Sequence, residues 1–402
     1  MLELADIRRA ADYLRGRVRR TELIHSPYLS EILGYPLYFK CENLQRTGSF
    51  KIRGATWFLA NQNPARLAAG VITASAGNHA QGVALAARQA GLAATVVMPE
   101  STPLAKVLAT RDYGARIILH GASYDEAAVA ARAMEQEQGL VYVPAFDHPL
   151  IMAGQGCIGM EILEDLPEVE RLVVPIGGGG LISGIATAVK SLRPEARIFG
   201  VEAAGAAAAF ASRHAGRREV LPQAQSLADG IALKAVGELT FPIIEKLVDD
   251  LLLVEEEAIA QAIVTLLEKV KLVTEGAGAV GLAALMGADA GASHGSTVCV
   301  LSGGNIDVQT LERVVERGLL EEGRYLKLRL ELPDVPGALA RLTRVLGEAG
   351  ANIFAVRHDR RRSRLPLGRA EVLLELEMRG PDHIVAVRRR LAEEGYDSEA
   401  LR

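Results

Sequence analysis

The stretch Leu172-Val173-Val174-Pro175-Ile176-Gly177-Gly178-Gly179-Gly180 places five nonpolar residues directly before four consecutive glycines. A short apolar run that ends in a glycine turn is typical of a buried strand, and the amphipathic residues that follow, through Lys190, predict a helix. A strand, a glycine turn and a helix in this order make the first half of a βαβ unit. The stretch therefore predicts an α/β fold.

Further apolar runs of strand length repeat this order along the first 300 residues. They are Val71–Thr73, Thr95–Pro99, Arg116–Leu119, Ile198–Val201 and Thr297–Leu301. The first run leads through small residues into a predicted helix over 78–89. Strands that alternate with helices in this way build a parallel sheet covered by helices on both faces.

The pattern changes after residue 323, where 16 basic and 12 acidic residues reverse the charge balance of the preceding chain. Tyr325–Leu332 alternates apolar and polar residues, which is typical of a half-buried strand. After a Pro/Gly turn, the pattern predicts a helix over 338–347, strands over 352–356 and 370–378, a helix over 381–394 and a short final strand. This βαββα order with a closing strand predicts a ferredoxin-like α+β module.

Length and composition exclude several classes of protein. With 402 residues, 49% hydrophobic and 23% charged, the chain is too long for one compact domain and too apolar for disorder. A net charge of −4 argues against a nucleic-acid or membrane partner. Cys41, Cys157 and Cys299 lack CxxC spacing, so we expect buried thiols in a reducing compartment. The sequence shows no leader-like start and no membrane-length apolar run, which predicts a cytoplasmic protein.

The glycine run Gly177–Gly180 predicts an anion site. Exposed N–H groups and the helix dipole favour a phosphate at such a junction, and four glycines leave no Cβ to hinder its approach. Two alternatives stay open, an ordinary tight turn and a dinucleotide site with Glu202 on the ribose. Gly178, Gly180 and Gly184 make G-x-G-x-x-x-G, which differs from the dinucleotide spacing.

A second strand-to-helix junction, Ser75-Ala76-Gly77-Asn78-His79, combines free N–H groups with polar side chains. Such a junction can hold a carboxylate by charge-assisted hydrogen bonds. A plain helix cap formed by Ser75 and Asn78 is the alternative.

A third junction puts Lys51 at the start of a predicted helix, directly after Thr47–Phe50. A cation at the positive end of a helix dipole is unfavourable by roughly 0.3–1 kcal/mol. Lys51 therefore either points to solvent, as a surface lysine, or is neutral. A neutral amine is a nucleophile suited to Schiff-base chemistry.

A phosphate cradle, a carboxylate cradle and such a lysine are together what pyridoxal phosphate acting on an amino acid requires. The chain resembles the fold-type-II pyridoxal-phosphate enzymes, most closely the threonine dehydratase (threonine ammonia-lyase) family with a C-terminal ACT domain. Four motifs in family order carry the resemblance: Ser49–Ala55, Ser75–Gly82, Gly177–Gly180 and Ser302–Asn305. It covers about residues 5 to 318, and an ACT-like pattern covers most of the rest.

The resemblance implies a two-lobed catalytic domain over residues 1–318. Its small lobe, about 50–150, is inserted in a large lobe made of 1–49 and 151–318. A linker over 319–325 then leads to the ACT domain at 326–402. The implied assembly is a homodimer or a homotetramer.

Site residues are carried over position by position. Lys51 matches the lysine that bears the cofactor and acts as the catalytic base. The cofactor-binding positions are Phe50 on the ring, Asn78 on the phenolic oxygen, Gly177, Gly178, Gly179, Gly180 and Leu181 on the phosphate, and Ser302 on the pyridine nitrogen. The positions for the substrate carboxylate are Ser75, Ala76, Gly77, Asn78 and His79.

The implied reaction is the β-elimination and deamination of L-threonine to 2-oxobutanoate and ammonia, with L-serine giving pyruvate. A serine at the pyridine nitrogen, in place of an aspartate, leaves that nitrogen largely neutral and suits prompt loss of a β-leaving group. The open alternatives are a serine racemase or serine dehydratase and a non-catalytic amino-acid sensor.

Three departures from related enzymes narrow the activity. Serine racemases have a serine where this chain has Ala76, which favours elimination here. They also bind a divalent metal through acidic residues at Glu202 and six positions further on, but the latter position is Ala208, so we predict no metal site. Cysteine synthases carry an acidic residue at the position of Ile52, which disfavours sulfhydrylase activity. The role of Glu275 stays open between the active site and a structural cap.

The C-terminal module resembles an ACT domain through Pro333–Leu339 and Gly350–Ile353. Such modules usually pair with another copy and bind a small ligand at the interface. For a branch-point enzyme of this family, isoleucine or valine is the expected effector. Pure assembly of the oligomer is the alternative. The expected effector residues are Gly337, Ala338, Leu339, Asn352 and Ile353.

Overall fold

The computed structural model describes residues 2–287, 295–361 and 366–401. They form two compact units, one up to Asp307 and one from Val308 onward. The helices of the first unit are α1 (Leu4–Leu14), α2 (Pro27–Leu33), α3 (Lys51–Ala60), α4 (Pro64–Leu67), α5 (Asn78–Gln89), α6 (Leu104–Asp112), α7 (Tyr124–Gln138), α8 (Pro149–Asp165), α9 (Gly180–Leu192), α10 (Ala208–Ala215), α11 (Thr240–Leu247), α12 (Glu256–Thr265) and α13 (Gly276–Met286).

The strands of the first unit form two sheets. They are β1 (Leu23–His25), β2 (Leu37–Cys41), β3 (Val71–Ala74), β4 (Ala94–Met98), β5 (Arg116–Leu119), β6 (Val141–Tyr142), β7 (Arg171–Pro175), β8 (Arg197–Ala203), β9 (Asp250–Val254) and β10 (Thr297–Leu301). The larger sheet has the order β1-β2-β10-β7-β8-β9, with β1 antiparallel and the other neighbours parallel. The smaller sheet, β5-β4-β3-β6, is entirely parallel. The predicted α/β class and the strands predicted from apolar runs are confirmed.

Each sheet has its own apolar core. The strand β7 is buried along its whole length, and Leu172 and Val174 pack with Ile158 and Ile185 of the covering helices. In the smaller sheet, Val71 and Val96 pack against Val83 of α5. Burial on both faces explains why these strands consist of continuous apolar runs without alternation.

The second unit contains α14 (Val308–Glu321), β11 (Tyr325–Pro333), α15 (Ala338–Glu348), β12 (Asn352–Asp359), β13 (Arg369–Glu377), α16 (Pro381–Glu393) and β14 (Ser398–Leu401). Its antiparallel sheet has the order β12-β13-β11-β14. Apolar side chains from one face of the sheet and from the two helices α15 and α16 form its core. This is the predicted ferredoxin-like α+β module.

The predicted linker over 319–325 overlaps secondary structure, because α14 extends to Glu321 and β11 begins at Tyr325. The compact units divide at Asp307/Val308, before the boundary expected from composition. Among the described residues, no helix combines the length and apolar character needed to cross a membrane.

A buried ion network fixes the start of α3. The Arg53 guanidinium donates two hydrogen bonds to Glu42, at 2.9 and 2.7 Å, and two more to Glu161 of α8, at 2.6 and 2.9 Å. The Lys40 ammonium donates to Glu161 at 2.6 Å and to the Thr21 carbonyl at 2.7 Å. Two cations thus face two carboxylates, and Arg53 lies two residues beyond Lys51.

Electrostatics within this network favour the charged forms. Burial alone raises the pKa of Glu42, but the Arg53 guanidinium and its hydrogen bonds outweigh burial and hold that pKa below its ordinary value. Burial likewise opposes the charge on Arg53, and the carboxylates of Glu42 and Glu161 more than compensate, which raises the pKa of Arg53. The network is stable only while each charge keeps its partner.

Candidate active site

The site lies where the carboxyl ends of parallel strands from both sheets meet. β7 leads into Gly177, β10 into Ser302, and β3 into Ser75. Pairing of Ser49 with Gly303, and of the Gly304 N–H with the Gly48 carbonyl, brings the segment before α3 beside the end of β10. Ligands of open α/β sheets bind at such strand ends.

These strand ends surround a cavity of about 300 Å³. The lining includes every predicted cofactor-binding and substrate-binding residue: Phe50, Lys51, Ser75, Ala76, Gly77, Asn78, His79, Gly177, Gly178, Gly179, Gly180, Leu181 and Ser302. Residues more than 200 positions apart in sequence are therefore brought into one site. The binding role of each of these residues stays a prediction.

Lys51 is the first residue of α3, and its ammonium group lies in the cavity wall. Its Nζ donates to the Ala145 carbonyl at 3.1 Å and lies 5.2 Å from the centroid of the Phe50 ring. Burial lowers the pKa of Lys51 to about 8, although the negative charge of Glu275 acts in the opposite direction. Lys51 is half-buried and lies in the cavity wall, which favours the interpretation as a partly neutral amine over that as a surface lysine.

The lowered pKa of Lys51 predicts enhanced reactivity near neutral pH. At pH 7.5, a pKa of about 8 leaves about a quarter of the amine uncharged, against about one part in a thousand at an ordinary lysine pKa. We expect the rate of labelling of Lys51 by a neutral acylating reagent, in cofactor-free protein, to reach half its maximum near pH 8. Peptide mass spectrometry measures that rate, with the exposed Lys246 as internal reference. A midpoint above pH 10 would contradict the prediction.

The glycine run forms the turn between β7 and α9. The N–H groups from Gly177 to Leu181 donate no hydrogen bond to any other group of the described chain. Gly179 has φ +90°, and a Cβ on Gly178 would lie 2.4 Å from the Phe146 ring. Free N–H groups at the start of a 13-residue helix, with no side chain in their way, make an anion cradle.

The close approach of Phe146 predicts that Gly178→Ala weakens cofactor binding. The added methyl group must displace the ring, and overpacking of this kind costs about 1–3 kcal/mol, so we expect the affinity for pyridoxal phosphate to fall about 10-fold. Absorbance titration of cofactor-free protein measures this affinity. In a Phe146→Ala background the ring is absent, and Gly178→Ala should then change affinity less than twofold. If Gly178→Ala lowered the affinity equally in both backgrounds, contact with the Phe146 ring would not be the cause of the weaker binding.

The second junction, at the end of β3, also presents free N–H groups. The Gly77 N–H donates to Ser75 Oγ at 3.2 Å, and the N–H groups of Ala76, Asn78 and His79 have no acceptor within the described residues. Ser75 makes no side-chain cap bond to α5, whose N-cap is Gly77. The junction can accept a carboxylate as predicted.

The His79 ring is committed to the main chain. It is buried, and its Nε2 donates to the Val143 carbonyl at 3.0 Å. Burial, aided by the nearby Lys51 charge, lowers the pKa of His79 to about 3, so the imidazole is neutral. With Nε2–H committed to Val143, the backbone N–H is the donor that His79 has left for a substrate carboxylate.

Ser302 follows β10 of the larger sheet, Asn78 begins α5 after β3 of the smaller sheet, and both line the cavity. The Ser302 hydroxyl donates to the Ala277 carbonyl at 3.1 Å. Asn78 Nδ2 donates to Glu275 Oε1 at 2.6 Å, and Asn78 Oδ1 accepts from Asn305 at 2.8 Å. Glu275 is buried, and burial together with the Asp229 charge raises its pKa to about 7.

Several cavity residues carry no role in the sequence-based prediction. They include Asn305, Lys106, Asp229, Tyr124, Phe146 and Gln155. Lys106 of α6 and Asp229 form an ion pair of 2.6 Å at the cavity. Asn305 could have been found, because it closes the Ser302–Asn305 motif. The others lie in segments without a local signal, and only the fold brings them to the cavity.

Glu202 does not lie in this cavity lining. Its carboxylate accepts the N–H groups of Ala209 and Phe210, both at 2.8 Å, at the start of α10. Burial raises the pKa of Glu202 to about 7 despite these bonds. Among the described residues, no cluster of three or more His, Cys, Asp or Glu side chains has the geometry to hold a metal ion.

The expected effector residues lie in the second unit. Gly337 adopts φ +82° as N-cap of α15, and Ala338 is buried in the core. Asn352 Nδ2 donates to Glu377 at 2.7 Å, and Ile353 lies next to it on β12. Their part in effector binding stays a prediction.

The cavity fits pyridoxal phosphate. It offers an anion cradle for a phosphate, a half-buried amine of lowered pKa for an aldehyde, and a buried hydroxyl at the end of β10. These are the donor groups that this cofactor needs, and they line one continuous space.

Comparisons with known proteins agree with this fit. Residues 14–303 match the family model described as pyridoxal-phosphate dependent enzyme, and residues 327–393 match the ACT domain. The chain is 58% identical over 402 residues to an L-threonine ammonia-lyase of Geobacter sulfurreducens, covering 100% of both chains.

Two solved structures of similar fold were also found. A threonine deaminase isoform of Solanum lycopersicum is 38% identical with a TM-score of 0.75, over 78% of this chain and 92% of that one. The serine racemase of maize is 35% identical with a TM-score of 0.75, over 80% and 99%. The chain therefore belongs to the pyridoxal-phosphate dependent enzymes, within the family that includes the threonine ammonia-lyases, and it carries a C-terminal ACT domain.

Proposed function

We propose that this enzyme is a threonine ammonia-lyase, which converts L-threonine to 2-oxobutanoate and ammonia and L-serine to pyruvate. The observation that carries the proposal is the half-buried Lys51 amine of lowered pKa in one cavity with a phosphate cradle and a carboxylate cradle. Full-length identity of 58% to a relative named L-threonine ammonia-lyase supports the choice of substrate.

The chain's own groups would hold the cofactor as follows. The N–H groups from Gly177 to Leu181 take the phosphate, Lys51 takes the aldehyde carbon, and Phe50 packs on the ring. Asn78 would donate to the phenolic oxygen, and Ser302 would meet the pyridine nitrogen. When bound, pyridoxal phosphate stabilises negative charge at the substrate's α-carbon, which makes the α-proton acidic.

The protein supplies a base and a binding site for the substrate. The Lys51 amine, uncharged in a useful fraction near neutral pH, accepts the α-proton. The free N–H groups of Ala76, Asn78 and His79 hold the substrate carboxylate and so orient the α-carbon toward Lys51. The electron pair of the Cα–H bond then forms the Cα=Cβ double bond, and the β-hydroxyl group takes up a proton and leaves as water. The released enamine reacts with one water molecule to give the keto acid and ammonia.

Elimination is favoured over racemisation by Ala76. Racemisation needs a proton donor on the face of the α-carbon opposite to Lys51, and an alanine methyl group cannot donate a proton. Serine racemase is therefore the weaker candidate, although the maize enzyme has a similar structure.

The proposal is tested by incubating the purified holoenzyme separately with L-threonine and L-serine and measuring keto acid and ammonia. We expect equal amounts of both products, with turnover of L-threonine and L-serine. Chiral chromatography of the remaining serine should show no D-serine. Formation of D-serine without keto acid, or of no product at all, would refute the proposal.

We also propose that the second unit is regulatory and binds isoleucine or valine near Gly337–Leu339 and Asn352–Ile353. The supporting observation is its match to the ACT domain. A homodimer or homotetramer in the cytoplasm, with the catalytic domain at 1–318 and the ACT domain at 326–402, completes the proposal.

The effector proposal predicts that isoleucine or valine changes the L-threonine dependence of the rate. Binding can alter activity only through unequal affinity for two states of the enzyme. Equilibrium dialysis with each amino acid, compared between the native chain and Ile353→Arg, measures binding. We expect the variant to lose binding while its rate without effector stays unchanged. Undiminished binding by Ile353→Arg would refute this location.

A further inference from the structure

A chain of hydrogen bonds runs along the cavity wall from Thr47 to Glu275. Asn305 Nδ2 donates to the Thr47 carbonyl at 2.7 Å and to Asn78 Oδ1 at 2.8 Å. Asn78 Nδ2 in turn donates to Glu275 Oε1 at 2.6 Å. Asn78 belongs to α5 beside the smaller sheet, whereas Asn305 follows β10 of the larger sheet and Glu275 directly precedes α13. These hydrogen bonds therefore hold the Asn78 amide at both its oxygen and its nitrogen.

The direction of this chain is set by its first member. A backbone carbonyl can only accept, so the atom of Asn305 that faces Thr47 must be the amide nitrogen. The second hydrogen of that nitrogen then requires an oxygen on Asn78, and the Asn78 nitrogen is left to face Glu275. An amide nitrogen carries two hydrogens, and Glu275 takes one of them. The other remains for the cavity.

Gly303 and Gly48 leave the space that these hydrogen-bonded side chains occupy. A Cβ on Gly303 would lie 2.1 Å from Glu275 Oε1 and 3.1 Å from Asn78 Nδ2. A Cβ on Gly48, which has φ +70°, would lie 2.2 Å from Asn305 Oδ1. Any other residue at these positions would displace a member of the chain. The glycines of two separate loops are thus explained by one hydrogen-bonded path.

Glu275 is not explained by a structural role in its helix. It occupies the N-cap position of α13, but its side chain makes no cap hydrogen bond there. A buried carboxyl group is costly unless it is hydrogen-bonded, and Glu275 Oε1 accepts a hydrogen bond from Asn78 Nδ2. The carboxyl group therefore serves Asn78 and not the helix.

We infer that Glu275 and Asn305 are positioning residues that orient the Asn78 amide, so that one Nδ2–H group is held toward the cavity as a donor to an oxygen of pyridoxal phosphate. This inference rests on the proposed use of the cavity as the cofactor site. It assigns a role to Glu275 and Asn305 that acts through Asn78. Without either partner, the amide can rotate and present its oxygen, which repels an acceptor.

The test is the affinity of cofactor-free protein for pyridoxal phosphate, followed by absorbance. We expect Glu275→Met and Asn305→Leu each to weaken binding about 5- to 10-fold, the usual effect of one hydrogen bond. Glu275→Gln keeps an acceptor oxygen and should stay within about twofold of the native chain. In an Asn78→Ala background, Glu275→Met and Asn305→Leu should each change affinity less than twofold. Far-ultraviolet circular dichroism establishes that each variant is folded.

The absorption spectrum of the bound cofactor gives a second readout. Asn78→Ala, Glu275→Met and Asn305→Leu should shift the pH midpoint of its visible band in the same direction, because all three remove the same donor. If Glu275→Met or Asn305→Leu still lowered the affinity in the Asn78→Ala background, the inference would be overturned, because the effect would not depend on Asn78. Glu275→Gln as weak as Glu275→Met would overturn it too, since charge and not the hydrogen bond would then matter. Failure of the native chain to bind pyridoxal phosphate would instead refute the proposed function.

Discussion

Lys51→Ala is expected to lower keto acid production from L-threonine by about 10⁴-fold or more. General base catalysis contributes about 10²- to 10⁴-fold, and loss of the amine also removes the covalent attachment of the cofactor. No other lysine can take over, because Lys106, the other cationic side chain among the described cavity residues, is paired with Asp229. The rate of keto acid formation and the visible absorption band of the lysine-bound cofactor measure the two effects.

Lys106→Ala is the matched control, since it also removes a cavity lysine. It should keep the absorption band that Lys51→Ala loses. A small primary amine added to Lys51→Ala should restore part of the rate, because it supplies a base at the vacated position. Undiminished activity of Lys51→Ala would show that another group removes the α-proton.

Arg53→Met is expected to destabilise the first unit by about 3–5 kcal/mol, the usual cost of leaving a buried charge without its partner. Glu42 and Arg53 are 0% and 1% exposed, so water cannot replace the lost guanidinium. Trp57 lies in the same helix α3 and is the only tryptophan of the chain, so its fluorescence reports unfolding of this unit. Urea unfolding followed by Trp57 fluorescence measures the change.

The double variant Arg53→Met/Glu42→Leu separates lost charge pairing from lost packing. It removes the stranded carboxylate and leaves the pair of Lys40 and Glu161 intact, so at least half of the stability should return. If Arg53→Met alone costs less than about 1 kcal/mol, the network behaves like exposed ion pairs and does not fix α3.

Much of the fold could be predicted from sequence because its signals are local. The run Leu172–Ile176 is apolar throughout since both faces of β7 are covered, and the alternation of Tyr325–Leu332 reflects one covered face of β11. Strand order could not be predicted in this way. The pairing of β10 between β2 and β7 depends on packing over more than 100 residues, and no local pattern encodes it.

The boundary of the second unit also could not be predicted from local sequence patterns. The change in composition after residue 323 marks where the sheet pattern changes, but α14 is amphipathic like the helices before it. Only the tertiary contacts assign α14 to the second unit.

In the site, the glycine run and the Ser75–His79 junction were recognisable because each joins a strand end to a helix start, and Lys51 because it begins a helix. The small and polar residues that such binding requires lie within a few positions of one another, so a local pattern reveals them. The ion pair of Lys106 with Asp229 had no such signal, because its members come from α6 and a distant short turn.

By itself, the sequence determined the α/β class, the ferredoxin-like module and the residue types suited to a phosphate, a carboxylate and an aldehyde, because these follow from periodicity and turn chemistry within short windows. Only the tertiary structure decided that Lys51 is half-buried in the cavity wall, with a pKa lowered to about 8, and that Glu275 accepts a hydrogen bond from Asn78 instead of capping α13. Burial and hydrogen-bond direction depend on neighbours that lie far apart in the chain, so they exist only once the chain has folded.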